Sequence, residues 1–552
     1  MTTSKFKPLT HSPGIQCPRT VFSVKRIIGT SLFLLVATLS FAPTGFATEI
    51  TPRSISRLID ERLGTDNQTQ LQFASDAEFL RRVSLDLGGR IPTIVEVYDF
   101  LENTSESRRS EAITRLMNSG VYYRNMATFW RRSWVPQADT PEFDSVTGNF
   151  ERWLMHRLQQ KTPYDELVTE ILILDQAAIV PESTTPVGFY DANLSKPENL
   201  AASSTRAFLG INLDCAQCHD HPFSRWTREQ FWQTAAFFAP PVMGKGDRPQ
   251  PPEVQIPDTK LAYKPALLSK TKIQWPQQLD SVSLRLVLVD WMKTNQEQLL
   301  AKNAVNRLWA HFFGEAIIEP MDDLSRDEFQ SGPHAQLLNE LSQTFIDSGY
   351  DLQTLVEGIV GSNAYRLSSS PQIITDAKGN TQKQNPSTEN DSKADSVATF
   401  HITKATVRGL TGEQIYDSLQ TAAGLAPERN DVRGSNDRSQ REEFSTQFHI
   451  ERAYSAERSI AQSLTLMNGG FINELTAPEG NRVLASLASS PFMAPAEQID
   501  TVFIAVLGRH AQPAELQAVQ RSFKSHPDTS HLQHLGNLFW TLINSSEFNT
   551  NH

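Results

Sequence analysis

The chain has 552 residues, a formal net charge of −11 and 39% hydrophobic residues. That is longer than one hydrophobic core supports, and the composition excludes both a multispan membrane protein and a wholly disordered chain. Acids outnumber bases 62 to 51, which argues against gripping a nucleic-acid backbone, and three cysteines are too few for a disulfide framework.

Residues 1–47 read as a secretory signal. Lys5, Lys7, Arg19, Lys25 and Arg26 stand without an acid before an apolar run from Ile27 to Ala42, followed by Pro43, Gly45 and Ala47. The run is shorter than the roughly 20 apolar residues of a spanning helix, so cleavage is expected rather than an anchor, and the mature chain is not an integral membrane protein. Cys17 precedes the apolar run, so the lipoprotein reading falls away, and the mature chain keeps only Cys215 and Cys218. The expected location is exported, periplasmic or extracellular, in a bacterium.

Residues 48–239 carry helical periodicity, with apolar residues recurring at three and four. Ser75 with Glu78 and Thr93 with Glu96 predict capping boxes for two helices joined by Gly88-Gly89-Arg90-Ile91-Pro92. Further helices are expected over 108–118, 122–134, 150–160, 164–174 and 198–209. Residues 240–282 are rich in Pro and Lys and predict a linker, or a loop laid across a surface. A second helical domain is expected over 283–548, interrupted by a polar, disordered insertion at about 369–396 and by a polar break at 429–443. The fold class expected is mainly α: two helical domains, with few or no strands. Leu87-Gly88-Gly89-Arg90 before Pro92 echoes Leu507-Gly508-Arg509 before Pro513, which helix-turn-helix punctuation explains without a repeat.

The chemistry is concentrated in Asp214-Cys215-Ala216-Gln217-Cys218-His219-Asp220-His221-Pro222-Phe223. Cys-x-x-Cys-His is the pattern of covalent haem attachment, with Cys215 and Cys218 as thioether anchors and His219 as ligand to the haem iron. The same cluster offers four donors, Cys215, Cys218, His219 and His221, for zinc or iron, and the two thiols also suit a local disulfide. No distal haem ligand is evident: Met243 lies in the Pro-rich segment, and Met126 and Met155 read as packing residues.

Several longer stretches resemble a known family. Ala77-Glu78-Phe79-Leu80-Arg81-Arg82-Val83, Leu85-Asp86-Leu87, Gly89-Arg90-Ile91-Pro92-Thr93, Phe208-Leu209-Gly210 and Cys215 to Phe223 before Trp226 resemble the planctomycete cytochrome type 2 domain. Asn306-Arg307-Leu308-Trp309-Ala310-His311-Phe312-Phe313-Gly314, Glu319-Pro320, Asp322-Asp323, Ala364-Tyr365-Arg366, Leu410-Thr411, Glu413-Gln414 and Leu466-Met467-Asn468 resemble the planctomycete-specific type 1 domain. Both are domains of unknown function. The resemblance implies haem c only through the motif that gave the first domain its name, and it points to exported proteins of bacteria rich in polysaccharide-degrading systems. Two functions follow as expectations: a c-type-haem protein for electron transfer or a redox step, working with a separate protein redox partner, or a non-redox binding protein holding zinc or a disulfide and linked to polysaccharide processing. Whether the protein is an enzyme stays open.

Three secondary features complete the reading. Arg307 and His311, at i and i+4, form either an anion or haem-propionate clamp or an ordinary polar helix face. Asp322 and Asp323 are expected to cap a helix. Trp130, Trp134 and Trp153 are expected to pack in a core rather than form a sugar-stacking surface. The sequence shows no Gly-rich phosphate loop, nucleophile elbow or His-Glu-x-x-His, leaving nucleotide hydrolysis, serine esterase chemistry and zincin proteolysis without support.

Overall fold

Thr93 and Glu96 form the expected capping box: the Thr93 hydroxyl accepts from the Glu96 N–H, and the Glu96 carboxylate accepts from the Thr93 N–H at 2.7 Å. Helix Ile94–Glu102 starts there. The preceding helix, Asp76–Gly88, has Ser75 as N-cap. Only half of its expected box forms, because the Glu78 carboxylate turns to Arg82 at 2.8 Å and to Ser369. Helices Arg108–Met117, Gly120–Trp134, Asp144–Gln159 and Tyr164–Leu172 follow, each within a few residues of its predicted span except for an earlier start in the third. After the Pro-rich stretch, Asp280 caps Ser281–Thr294, and Leu299–Phe313, Pro333–Asp347 and Leu352–Gly361 complete the middle of the chain. The C-terminal part runs from Gly412–Ala422 to the short helix Ser546–Asn549. The expected polar break at 429–443 is shorter than predicted, because Gln440–Thr446 is helical and buries Arg441 and Phe444.

This computed structural model describes residues 50–65, 71–139, 144–175, 185–244, 248–325, 331–370, 373–375, 381–383, 402–426, 440–448 and 459–552. The secretory signal expected at 1–47 lies outside the described residues, as does most of the insertion expected at about 369–396. A two-stranded hairpin, Ile373–Thr375 with Thr381–Lys383, is the described part of that insertion apart from Ser369 and Ser370. The protein is mainly α, and among the described residues the strands form only small two-stranded ladders. Among the described residues no helix is long and apolar enough to cross a membrane.

Residues 49–552 pack as one compact unit with two apolar cores. The larger core runs from Ile55 to Tyr365, takes in Ile256, Leu267, Leu268 and Leu279 of the Pro-rich segment, and adds Ile504 from the C-terminal part. That segment forms two small hairpins, Val242–Met243 with Pro249–Gln250 and Val254–Gln255 with Ala262–Tyr263. The smaller core gathers residues 410–548 and accepts Leu85 and Ile91 from the first part of the chain. The two cores are thus built mainly from residues 55–365 and 410–548.

Helix Asp76–Gly88 lies between the cores, and every residue from Phe79 to Gly88 is buried. Burial on all sides forces its charged residues to find partners. Both carboxylate oxygens of Asp86 accept from the one Arg408 Nη2 at 3.0 Å, and the group also accepts from the Tyr365 hydroxyl at 2.7 Å and from Asn551 Nδ2 at 2.6 Å. Arg82 donates to the carbonyls of Tyr365, Leu367 and His552, and Arg81 to those of Glu547 and Phe548. The chain's last residues, Thr550–Asn551, pair with Arg408–Gly409 across this seam.

The echo between the two Gly-Arg turns proves to be structural. Gly89 and Gly508 both take left-handed φ, at 69° and 72°. Arg90 forks onto Glu96 and donates to the Ile91 carbonyl; Arg509 forks onto Glu515 and donates to the His510 carbonyl. Glu96 and Glu515 each cap the helix that follows, at the Thr93 and Gln512 N–H groups. The shared element is Arg with Glu six residues on. The prolines sit at different offsets, two and four residues after the Arg, and that difference conceals the match in the sequence.

The seam also predicts acid sensitivity. Burial pushes the Glu413 carboxyl up, but Arg132, Arg441 and Arg131 outweigh it and hold it below its ordinary value. A depressed folded pKa contributes stability that is present at neutral pH and lost as pH falls through the carboxylate range. Glu413→Gln is expected to melt lower than the parent at pH 7, with the two melting temperatures converging toward pH 3. A constant gap across that range would reject the ion-pair account.

Candidate cofactor site

The segment bearing the two cysteines is shaped by the helix before it. Helix Pro197–Ser204 ends in a wide π-turn, Thr205–Leu209, closed by Gly210 at φ 61°. Only glycine fits there, since a Cβ would also stand 2.8 Å from the Leu324 side chain. Ile211 then bridges to Asp323, and the 3₁₀ turn Asp214–Gln217 delivers Cys215 and, at its end, Cys218.

Residues from the far side of the Pro-rich segment brace this approach. Asn303 Nδ2 donates to the Ala207 carbonyl at 2.7 Å and Arg307 Nη2 to the Arg206 carbonyl at 3.1 Å, satisfying carbonyls in the π-turn. The Leu324 N–H donates to the Gly210 carbonyl, and Trp226 Nε1 donates to the Ser325 hydroxyl. Within the loop, Trp232 Nε1 donates to the Gln217 carbonyl, the His221 N–H to the Trp226 carbonyl, and the Arg228 N–H to the Asp220 carboxylate at 2.8 Å. Asp214 is paired with Arg206. The frame is thus held from behind by many bonds.

The chemical groups face the other way. Cys215 and Cys218 are free thiols at the surface, His219 is exposed and Phe223 is 81% exposed. The two histidines differ. His219 Nδ1 lies 2.7 Å from the Asp220 carbonyl, which can only accept, so Nδ1 carries the proton and Nε2 keeps its lone pair. His221 is half-buried and its Nδ1 accepts from the Phe223 N–H, so its proton is on Nε2. Among the described residues no group of three or more His, Cys, Asp or Glu side chains is placed to hold a metal ion. Of the four donors Cys215, Cys218, His219 and His221, the last has its Nδ1 engaged by the Phe223 N–H of its own turn.

The other sequence candidates separate. Arg307 is tied to Asn303 and to the π-turn, while His311 Nε2 donates to the Asp86 carbonyl at 3.1 Å and its ring packs 4.7 Å from Phe129. Burial, partly opposed by Asp86, pulls His311 below its usual pKa. These two residues serve different neighbours rather than one ligand. Asp322 and Asp323 begin no described helix, since Asp323 is engaged in the backbone bridge to Ile211. Met126 is buried and Met155 packs against the larger core, whereas Met243 is 66% exposed. Trp130, Trp134 and Trp153 are all buried in the larger core, as expected.

The seam around Asp86 escaped the reading of the sequence as a site. Its one local signal is that Arg81, Arg82 and Asp86 stand among Phe79, Leu80, Val83, Leu85 and Leu87 of one helix.

Two family descriptions match the chain: PSCyt2, a protein of unknown function (DUF1549), over residues 54–241, and PSD1, a protein of unknown function (DUF1553), over residues 284–523. No curated protein and no solved structure matches. The two matches together span most of the chain, which joins a planctomycete cytochrome type 2 domain to a planctomycete-specific domain.

Proposed function

We propose that this is an exported c-type-haem protein that transfers electrons or supports a redox step with a separate protein partner. The observation carrying the reading is the orientation of His219: its Nδ1 is committed to the Asp220 carbonyl, while both thiols of the motif are free and exposed beside it. A carbonyl on Nδ1 fixes the tautomer and ring orientation of a ligating imidazole and raises its basicity. Cys215 and Cys218 would anchor the macrocycle through thioether bonds and His219 would ligate the iron. Haem held in this way supplies one-electron chemistry. The rigid frame behind the loop supports the reading, because a fixed backbone keeps two thiols and an imidazole in one register without using them for folding. Export is supported by the basic and apolar leader of residues 1–47, since c-type haem is attached outside the cytoplasm.

Expression alongside haem-maturation machinery is expected to give a Soret band and a haem stain that survives denaturing electrophoresis. Cys215→Ser with Cys218→Ser is expected to abolish the stain and leave the melting transition in place, since both thiols are exposed. His219→Ala is expected to alter the spectrum, and His221→Ala to preserve it. Absence of both Soret band and stain in the parent chain rejects haem attachment, and an unaltered His219→Ala spectrum rejects the ligand role.

A further inference from the structure

The peptide group between Asp220 and His221 is held from two sides. Its carbonyl accepts from His219 Nδ1 at 2.7 Å, and its N–H donates to the Trp226 carbonyl at 2.8 Å. In a trans peptide these two groups point in opposite directions, so fixing the N–H toward Trp226 aims the carbonyl at the imidazole.

The Asp220 side chain adds a second anchor. Its carboxylate accepts at 2.8 Å from the Arg228 N–H, the first of helix Arg228–Ala235 and a donor without a partner inside its own helix. An anion is favoured there, because the N–H and the helix dipole both attract negative charge. That helix start is itself firm: the Gln230 N–H donates to the Thr227 hydroxyl, and the Gln230 side-chain oxygen accepts from the Thr227 N–H at 3.0 Å. One turn further along, Trp232 Nε1 donates to the Gln217 carbonyl at 3.1 Å. Cys218 and His219 therefore lie between two points, Gln217 and Asp220, pinned to one helix.

We propose that Asp220 is the positioning residue of this loop: its carboxylate, seated on the start of helix Arg228–Ala235, aims its own backbone carbonyl at His219 and holds the imidazole with Nε2 unprotonated. A ring ordered in advance loses little freedom when Nε2 takes a ligand. What Nε2 ligates rests on the haem reading; the tautomer and direction of the ring do not.

The test uses the purified chain labelled with nitrogen-15 in histidine, at a pH where the ring is neutral, with His219→Gln assigning the His219 signals. The parent is expected to carry the His219 proton on Nδ1. Asp220 is exposed, so Asp220→Ala is expected to fold, as circular dichroism verifies, and to lose that fixed tautomer. Asp220→Asn keeps an oxygen for the Arg228 N–H and is expected to retain it. In the haem-loaded chain Asp220→Ala is expected to keep the covalent stain, since both thiols remain, and to shift the Soret maximum and the midpoint potential, with Asp220→Asn staying near the parent. A folded Asp220→Ala chain with the parental His219 tautomer, or with the parental potential when loaded, overturns the proposal. So does an Asp220→Asn chain that behaves as Asp220→Ala, which would assign the effect to charge rather than to the anchoring bond. A parent that takes up no haem rejects the haem reading alone, because the nitrogen spectra still decide what Asp220 does.

Discussion

Asp86→Ala is expected to be among the most damaging single substitutions in this protein. The carboxylate is 1% exposed and holds the Arg408 guanidinium, the Tyr365 hydroxyl and the Asn551 amide. Removing it leaves a buried cation and two buried donors unmatched. Breaking one half of a buried ion pair costs about 3–5 kcal/mol, a large part of what a typical domain has in reserve. The variant should be insoluble or show a much lower urea midpoint. Asp86→Asn keeps an acceptor oxygen but loses the charge opposite Arg408, so it should fall between. Arg408→Met placed on top of Asp86→Ala should recover part of the loss, because the stranded charge goes with it. A loss of unfolding free energy below about 1 kcal/mol for Asp86→Ala would show that the seam does not hold the two cores together.

Trp134→Ala carries the second large effect. Its ring is 1% exposed, lies 5.1 Å from Trp130 and 5.6 Å from Phe208, and abuts Tyr164. Deleting a buried indole costs about 3–5 kcal/mol, from lost transfer energy and the cavity left behind. Trp134→Phe should cost much less. Because Phe208 belongs to the π-turn leading to the cysteines, the proposed haem role implies that the Ala variant also reduces attachment, whereas the thiol substitutions affect attachment alone. A folded Trp134→Ala chain with parental stability would place this ring outside the core and revive a surface role for it.

The two family segments complete each other's packing at the seam. Asn303, Arg307, Leu324 and Ser325, all from the second segment, hold the π-turn and loop of the first. Leu85 and Ile91, from the first, enter the smaller core of the second. Neither part finishes its own packing.

Short-range features were legible in the sequence. The Thr93 and Glu96 cap, the Gly-Gly turn, the helix spans and the packing of the three tryptophans all depend on residues within a turn or two of each other, where periodicity and capping chemistry act. Cys-x-x-Cys-His was legible for the same reason, being complete within five residues. Long-range choices were not. Glu78 could as well have capped its own helix, and it left the box because Arg82 and Ser369 reached it first. Arg307 and His311 look like one polar face at i and i+4, yet they bond to Arg206 and Asp86, which the sequence does not place beside them. Asp86 finds its partners 279, 322 and 465 residues away. The sequence alone determined a mainly helical chain of this family with one Cys-x-x-Cys-His motif. The tertiary structure decided which histidine faces outward, where the cores divide and which buried charges meet, because burial makes pairing obligatory and only the assembled packing says with whom.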